Sequence, residues 1–492
     1  MTSDPGDRAF RVGLLGHGTV GAAFAALVPQ HAARVERLTG LRPELSGVMT
    51  RRSGSFEEIL ERSDLIVELT GGIEPARGWL LRAMQEGRHV VTANKQLLSQ
   101  YGEELWECAR ANGVQLRFEG AVAGVVPVIR VLQEALAGAT IDRVHGIVNG
   151  TTNFILTEMA RTGMTFAEAL AEAQRLGYAE ADPSEDVDGR DAAAKMAILA
   201  RLAFASPVHL DQVRYEGIEH IQPDDLAYAH ELGLELKLIG TAERVGSGLN
   251  VRVHPAFLYP GHPLASVSGP FNAVTVESEE ITEITMSGPG AGGPQTASAV
   301  LGDVISAMIP PASTPPTAQV LEIVGDVVSA FYLHLEVADE PGVLASVSGP
   351  FNAVTVESEE ITEITMSGPG AGGPQTASAV LGDVISAMIP PASTPATSQV
   401  LEIVGDVVSA FYLHLEVADE SGVLAAVAQV LAEREVSVKS VVQRGLGEQA
   451  RLVMVVHPVL ESRFFAAMAA LSGLDVLRAP PRAIRVLEEE FG

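Results

Sequence analysis

A chain of 492 residues, 47% of them hydrophobic, carries apolar material for about three domain cores, which excludes a disordered protein. The 33 basic and 62 acidic residues give a formal net charge of −29, a field that repels nucleic acid and anionic membrane, so a phosphate-bearing ligand would need a local site of backbone amides. The single cysteine, Cys108, excludes an internal disulfide or a cysteine metal cluster and fits a reducing cytoplasm. The N-terminal MTSDPGDRAF has no basic leader, and the apolar run after it is too short for a signal core or a membrane span. A soluble cytoplasmic protein is expected.

Phe10 to Leu15 is a short apolar run followed by Gly16-His17-Gly18-Thr19-Val20-Gly21 and an alanine-rich segment. That is strand, glycine turn and helix, in which the glycines permit a tight turn and the helix start offers free N–H groups to a pyrophosphate. The next strand, Leu45 to Met49, ends in Thr50-Arg51-Arg52-Ser53, where an NAD site would carry an acid for the ribose 2′-hydroxyl. Two arginines there favour a 2′-phosphate, hence NADP, although exposed arginines without a ligand fit the same pattern. Buried-type strands at Leu65–Leu69 and His89–Thr92 lead into Thr70-Gly71-Gly72 and Ala93-Asn94-Lys95. Ligands of a doubly wound sheet sit beyond the carboxyl ends of its strands, which makes Lys95 a candidate site residue.

A strand at Gln115–Phe118, a glycine-bearing turn (119–127) and the helix IRVLQEAL follow, and then a strand at Val144–Val148 ending in Asn149-Gly150-Thr151-Thr152-Asn153. That polar turn is also what helix capping requires. The acid-rich stretch Gly177–Lys195 closes on the helical run AAAKMAILARLAF. Asp191 and Lys195, four apart, share one face of that helix, and Glu180 lies on a helix-broken loop able to fold back towards it. An acidic solvated loop with a surface ion pair has the same spacing.

Beyond Lys195 the pattern predicts helices to about Leu238 and strands near Leu249–Val253. Leu264–Ala345 then recurs as Leu344–Ala425, an offset of 80 residues, with differences only at Pro316/Ala396, Ala318/Ser398 and Pro341/Ser421. So close a repeat is a tandem duplication and not a solenoid, whose repeats diverge and stack in several copies. Each copy holds a strand-like Val274–Met286, a turn Gly288-Pro289-Gly290-Ala291-Gly292-Gly293, a helix from about Thr296 to Met308, a Pro/Ser/Thr linker and the strand Phe331–Val337. The first copy, continuous with the strands before it, is expected to complete the enzyme; the second (turn at 368–373) has the same chemistry and would dock on a neighbouring protomer or stay loose. From Phe411 the order is βαββαβ.

The motifs GHGTVG, VVTANK, EGAVAGVVP, GIVNGTTNFIL and GYAEADPSEDVDGRDAAAK together resemble homoserine dehydrogenase, and the C-terminal order resembles an ACT domain. The resemblance implies an α/β protein with a Rossmann-type NAD(P)-binding domain (1–130), an α+β substrate and dimerisation domain (131–310) and a C-terminal ferredoxin-like ACT domain (411–492). Between these lie a linker with a truncated first ACT strand (311–343) and the duplicated segment (344–410). It implies NADP-favoured interconversion of L-homoserine and L-aspartate 4-semialdehyde, with NAD left open, in a homodimer or homotetramer. Lys195 would be the proton donor and acceptor, assisted by Lys95, which also meets the cofactor. Glu180 and Asp191 would bind substrate, and Gly16, Gly18, Thr19, Val20, Gly21, Arg51, Gly177, Gly290 and Gly292 would bind cofactor. Main-chain oxygens of Glu119, Val122, Gly124 and Val126 would hold a sodium ion. Asp419, Gly422 and Val423 would hold an amino-acid effector such as threonine, with Ser421 in place of the family's usual proline, although an ACT fold also serves simply to pair subunits. The competing reading is an amino-acid-sensing homologue whose catalysis the duplication has disabled.

Overall fold

The computed structural model describes residues 9–279, 282–290, 292–308, 351–358, 362–369, 379, 401–444 and 450–487. The linker, the strand at 331–337 and the second glycine turn from residue 370 onward lie outside them. The N-terminal unit runs β1 (Ala9–Leu15), α1 (Thr19–Thr39), β2 (Arg42–Met49), α2 (Phe56–Arg62), β3 (Leu65–Glu68), α3 (Ala76–Gln85), β4 (His89–Thr92), α4 (Lys95–Ala111) and β5 (Leu116–Arg117). Its strands form a five-stranded parallel sheet in the order β2-β1-β3-β4-β5. The order reverses between β1 and β3, the point at which sheets of this kind hold ligands beyond the carboxyl ends of their strands. Strand β3 is buried along its whole length, as a strand covered on both faces must be.

The middle unit continues α5 (Val128–Arg130), β6 (Ile141–Ile147), α6 (Gly150–Thr162), α7 (Phe166–Leu176), α8 (Ser184–Val187), α9 (Arg190–Phe204), β7 (Arg214–Tyr215), α10 (Pro223–Glu231), β8 (Glu235–Val245), β9 (Gly248–Leu258), β10 (Phe271–Ser278), β11 (Thr282–Pro289) and α11 (Gly293–Met308). The second copy contributes the hairpin β12 (Phe351–Ser358) and β13 (Thr362–Pro369). The C-terminal unit runs β14 (Val408–Glu416), α12 (Val423–Ala432), β15 (Val438–Arg444), β16 (Arg451–Leu460), α13 (Glu461–Leu471) and β17 (Arg482–Leu487). This is the ferredoxin-like βαββαβ order. Among the described residues one large sheet runs β12-β13-β11-β10-β6-β8-β9-β17-β14-β16-β15. The parallel pairing of β17 with β9 fuses the C-terminal sheet to the middle one.

Three expectations change. Helix does not persist to Leu238: α10 ends at Glu231 and β8 begins at Glu235, because Leu234, Leu236 and Leu238 alternate with polar residues at the strand period. Val274–Met286 is not one strand but the hairpin β10–β11, with Val274 opposite Met286. The segment read as IRVLQEAL is one turn of α5 and then a π-helical turn, Val131–Ala135.

Helix α9 positions the site. It is buried from Asp191 to Leu202, and alanines at 192, 193, 194, 197 and 200 let it pass closely between α4 on one side and β8 and β9 on the other. Helix α11 returns to the N-terminal unit and packs along α1. The C-terminal unit is clamped to α10: buried Asp225 accepts hydrogen bonds from Arg482 (2.8 Å) and bonds His414 Nδ1 (3.0 Å), while Arg451 reaches Asp224 at 2.8 Å. No helix among the described residues is long and apolar enough to cross a membrane.

Candidate active site

Two sets of groups meet where the units join. The first is the glycine turn after β1. Gly16 has φ +99°, and a Cβ there would lie 2.6 Å from the Leu69 carbonyl, so only glycine lets β1 turn against the end of β3. Gly18 precedes α1 with no side-chain cap, and neither α1 nor α11 has an acid in its first turn. Thr19, Val20 and Gly21 thus open α1 with amides that lack an intrahelical partner and a side-chain cap among the described residues. The start of α11 lies against them, a Cβ on Gly293 falling 3.0 Å from Thr19 Cγ2. Two helix N-termini converging on one glycine turn provide N–H donors and positive helix dipole for an anion. Arg51 is exposed just past β2, in a turn closed by Thr50 Oγ1, which accepts from the amides of Arg52 (3.1 Å) and Ser53 (3.0 Å).

The second set centres on Asp191, 2% exposed. Lys195 Nζ donates to Asp191 Oδ2 at 2.8 Å and to the Val148 carbonyl at 2.7 Å. Lys95, at the start of α4, donates to the other carboxylate oxygen. Asn149 caps α6, its Oδ1 accepting from the Thr152 amide (2.8 Å), while its Nδ2 donates to Asp191 Oδ2 (2.8 Å) and Asp186 Oδ1 (2.7 Å). Burial works against the Asp191 charge, but the two ammoniums and their hydrogen bonds prevail and hold its carboxyl well below the usual carboxylate range. Burial is the largest single influence on Lys95 and works to lower it, but the Asp191 charge and hydrogen bond together with the Asp186 and Glu185 charges outweigh it, leaving the ammonium above its ordinary value. Asp186 goes the other way, raised by burial and by the neighbouring Asp191 charge.

The expected pair Asp191 and Lys195 therefore meets Lys95, as the spacing on α9 and the end of β4 suggested. Glu180 does not join them; it is exposed, its backbone carbonyl accepting from Gln174 Nε2 at 3.1 Å. Gly177 is the left-handed C-cap of α7 (φ 80°), and the following Tyr178 carbonyl accepts from Thr151 Oγ1 at 2.8 Å. Gly290 is buried, with no room for a Cβ beside the Asn272 carboxamide (2.1 Å), and Gly292 is exposed at φ +137°. Asn272 was not anticipated. Its Nδ2 lies 3.4 Å from the same Val148 carbonyl that Lys195 uses and 3.5 Å from the Gly290 carbonyl, linking the lysine cluster to the α11 turn. Its Oδ1 is buried without a partner among the described residues.

Glu68 was also missed, read as one more strand residue. Wholly buried, it accepts from the Thr70 amide (2.7 Å), Thr70 Oγ1 (2.6 Å), the Gly71 amide (3.2 Å) and Thr92 Oγ1 (2.7 Å), tying the loops after β3 and β4 together. Asn94 adds a bond to the Gly72 carbonyl (2.6 Å) and caps α4, which fixes Lys95. Glu119, Val122, Gly124 and Val126 lie on one loop packed against the α11 turn, a Cβ on Gly124 falling 2.7 Å from the Gly290 carbonyl. The Glu119 and Val126 carbonyls each already accept a backbone N–H, which leaves each a second lone pair. No cluster of His, Cys, Asp and Glu suited to a metal occurs among the described residues. In the C-terminal unit, Asp419 and Gly422 are exposed and Val423 opens α12, whose first turn holds no acid.

Comparison with known proteins decides the family. The homoserine dehydrogenase family model matches residues 127–305 and 316–385, the homoserine dehydrogenase NAD-binding model residues 16–119, and the ACT model residues 411–475. A homoserine dehydrogenase of Neisseria gonorrhoeae is 33% identical, covering 96% of this chain and 98% of that protein. The chain belongs to the homoserine dehydrogenase family. The crystal structure of a homoserine dehydrogenase from Thiobacillus denitrificans superposes with a TM-score of 0.78 at 31% identity, covering 98% of this chain and 99% of that one. A hyperthermophilic archaeal homoserine dehydrogenase in complex with NADPH superposes with a TM-score of 0.53 at 28% identity, over 61% of this chain and 97% of that one.

The activity is accordingly that of an NAD(P)-dependent oxidoreductase acting on a CH–OH group, the homoserine dehydrogenase step of amino-acid biosynthesis, with an ACT domain that suggests regulation. The reading of a disabled sensing homologue is not favoured. The fold class expected from the motifs is the one observed.

Proposed function

We propose that Lys195 and Lys95, both anchored on Asp191, work on the oxygen that interconverts between the homoserine hydroxyl and the aspartate semialdehyde carbonyl. The supporting observation is that two lysines share one buried carboxylate beside the α11 turn. A bound nicotinamide supplies or accepts the hydride. Lys195 delivers the proton to the carbonyl oxygen in reduction and removes it in oxidation. Lys95, held as an ammonium, offers a standing positive charge to an oxygen that becomes negative as its carbon gains hydride. Both oxygens of Asp191 are engaged by the lysines and Asn149, so Asp191 acts as a positioning residue rather than as the substrate ligand expected from the motif. Glu180, exposed on the loop after α7, is left for the substrate ammonium.

The cofactor pyrophosphate would lie on the amides at Gly18–Gly21 and Gly292–Gly293, with Gly16, Gly177 and Gly290 admitting close approach. Arg51 would bind a 2′-phosphate, which favours NADP over NAD. A sodium ion on the carbonyls of Glu119, Val122, Gly124 and Val126 would brace that loop, and no chemical step passes through it. We assign 1–130 to nucleotide binding, 131–310 to catalysis and 411–492 to regulation, with α11 of the first copy completing the cofactor site. Threonine would sit at Asp419, Gly422 and Val423 and act through the Asp225 clamp.

The test is to mix the full-length protein with aspartate semialdehyde and either NADPH or NADH and follow reduced-cofactor absorbance. Faster oxidation of NADPH is expected; equal rates with both cofactors would remove the role given to Arg51, and no oxidation by the folded protein would remove the proposal.

A further inference from the structure

Residues 214–218 form a short strap between the C-terminal unit and the stretch that joins α8 to α9. On one edge β7 pairs in parallel with β9, and the Glu216 amide continues the pairing onto the Val253 carbonyl at 2.9 Å. The Ile218 amide then donates to the Val187 carbonyl at 2.9 Å, and both residues are buried. Here the backbones meet with no side chain between them. A Cβ on Gly217 would fall 2.1 Å from the Val187 carbonyl and 2.6 Å from the Asp188 Cα, and one on Gly189 would fall 3.0 Å from the Glu216 carbonyl. Gly189, at φ +88°, is the residue from which α9 starts, and Asp186 and Asp191 flank it.

The other side of the strap is held by the C-terminal unit. Side chains two apart on an extended chain share a face, and Arg214 and Glu216 both reach residues beyond 400. Arg214 Nη1 donates to the Gly405 carbonyl. Arg485, on β17, donates from Nη1 to Glu216 Oε2 at 3.0 Å, while its Nε and Nη2 fork onto the buried Glu461 carboxylate at 2.8 and 3.1 Å. One guanidinium thus holds two carboxylates, Glu461 of its own unit and Glu216 of the strap. The second Glu216 oxygen lies 3.4 Å from His220 Nε2. An ion pair free in solvent would contribute little, but Arg485 is 15% exposed and already fixed by Glu461, so Glu216 meets a donor that stands in place.

We propose that Glu216 and Arg485 are positioning residues for the substrate, acting through Gly217 and Gly189 on the stretch that carries Asp186 and Asp191. The contact is separate from the Asp225 clamp on α10. Because strap and stretch touch backbone to backbone, a displacement of Glu216 is not absorbed by a side-chain rotamer; it shifts Val187–Gly189 and with them the start of α9. The C-terminal unit thereby shares in setting the substrate site whether or not an effector is bound. This assignment rests on reading Asp186, Asp191 and the two lysines as that site.

The full-length variants Glu216→Gln and Arg485→Lys test it. The first keeps the side chain's shape and removes its charge; the second keeps a charge for Glu461 but cannot fork onto two carboxylates. KM for aspartate semialdehyde is expected to rise in each by about twofold or more, the scale on which residues linking two sites act, with KM for NADPH and Tm close to the parent's. The double variant is expected to show no more than the larger single effect, since both substitutions break one contact. A parental semialdehyde KM in either single variant, an equal rise in both Michaelis constants, or additive effects in the double variant would overturn the proposal. The lysine roles are decided separately by Lys195→Ala, so the two failures are distinguishable.

Discussion

Replacing Asp191 by asparagine keeps the side chain's size and removes the one charge shared by Lys95 and Lys195. The parent carboxylate lies 2.8 Å from Lys195 Nζ and is 2% exposed. Removing one partner of a buried pair costs about 3–5 kcal/mol, and here two ammoniums lose a single counterion. Asp191→Asn should therefore lower the unfolding free energy at neutral pH by about 3 kcal/mol or more. The sign with pH follows from the depressed carboxyl. Its contribution is complete above the unfolded value of about 3.9 and is lost as pH falls below it, so the variant should lack that acid-side loss.

The same substitution acts on Lys95. Burial lowers this ammonium, and the Asp191 charge and hydrogen bond with the Asp186 and Glu185 charges together more than restore it, so without the Asp191 carboxylate the balance moves towards burial and Lys95 loses its proton at lower pH. The alkaline limb of the kcat/KM profile should move to lower pH. Denaturant unfolding at several pH values and that profile are the assays. Parental stability together with an unmoved alkaline limb would refute the reasoning.

Three further outcomes are expected. Burial, with the neighbouring Asp303 charge, raises Glu119 to about 8, and burial raises Asp303 to about 6. Acids raised in the fold stabilise it fully below their unfolded values and cease to do so as pH climbs through the folded ones. Unfolding free energy should therefore fall from about pH 4.5 to about pH 8 and fall less in Glu119→Gln; an identical slope would show that the pair does not titrate. Arg51→Glu should raise KM for NADPH about tenfold or more, the worth of a charge-assisted hydrogen bond of about 1.5–3 kcal/mol, with NADH kinetics unchanged; equal effects on both cofactors would deny a 2′-phosphate contact. Gly124→Ala forces a left-handed alanine (φ +62°) into the Gly290 carbonyl at 2.7 Å and should lower Tm while raising KM for NADPH, whereas a silent variant would separate that loop from the cofactor turn.

What the sequence revealed is what local chemistry encodes. Gly16 and Gly21 announce a turn because no other residue fits it, and the Asp191–Lys195 spacing fixes two charges on one helix face. The order of the C-terminal unit likewise follows from alternation and turn residues. Asn149 was legible only as a cap: its carboxamide oxygen does cap α6, but the spare NH₂ reaches Asp186 and Asp191, and nothing in the local pattern says so. Glu68 looked like one acid in an apolar strand, although a charge in a run buried on both faces demands partners, and that demand was the available signal. The bond from Asn272 to Val148 spans 124 residues, and the pairing of β11 with β13 joins two copies of one sequence. Both depend on how the chain returns, which periodicity does not record.

The central claim is that Lys195 moves the proton at the substrate oxygen. Its most direct test follows NADPH absorbance with aspartate semialdehyde for the parent and for Lys195→Ala, with NADPH binding measured separately by titration. The account predicts that the variant binds NADPH close to the parent's affinity and does not turn over. Turnover at the parent's rate would contradict it.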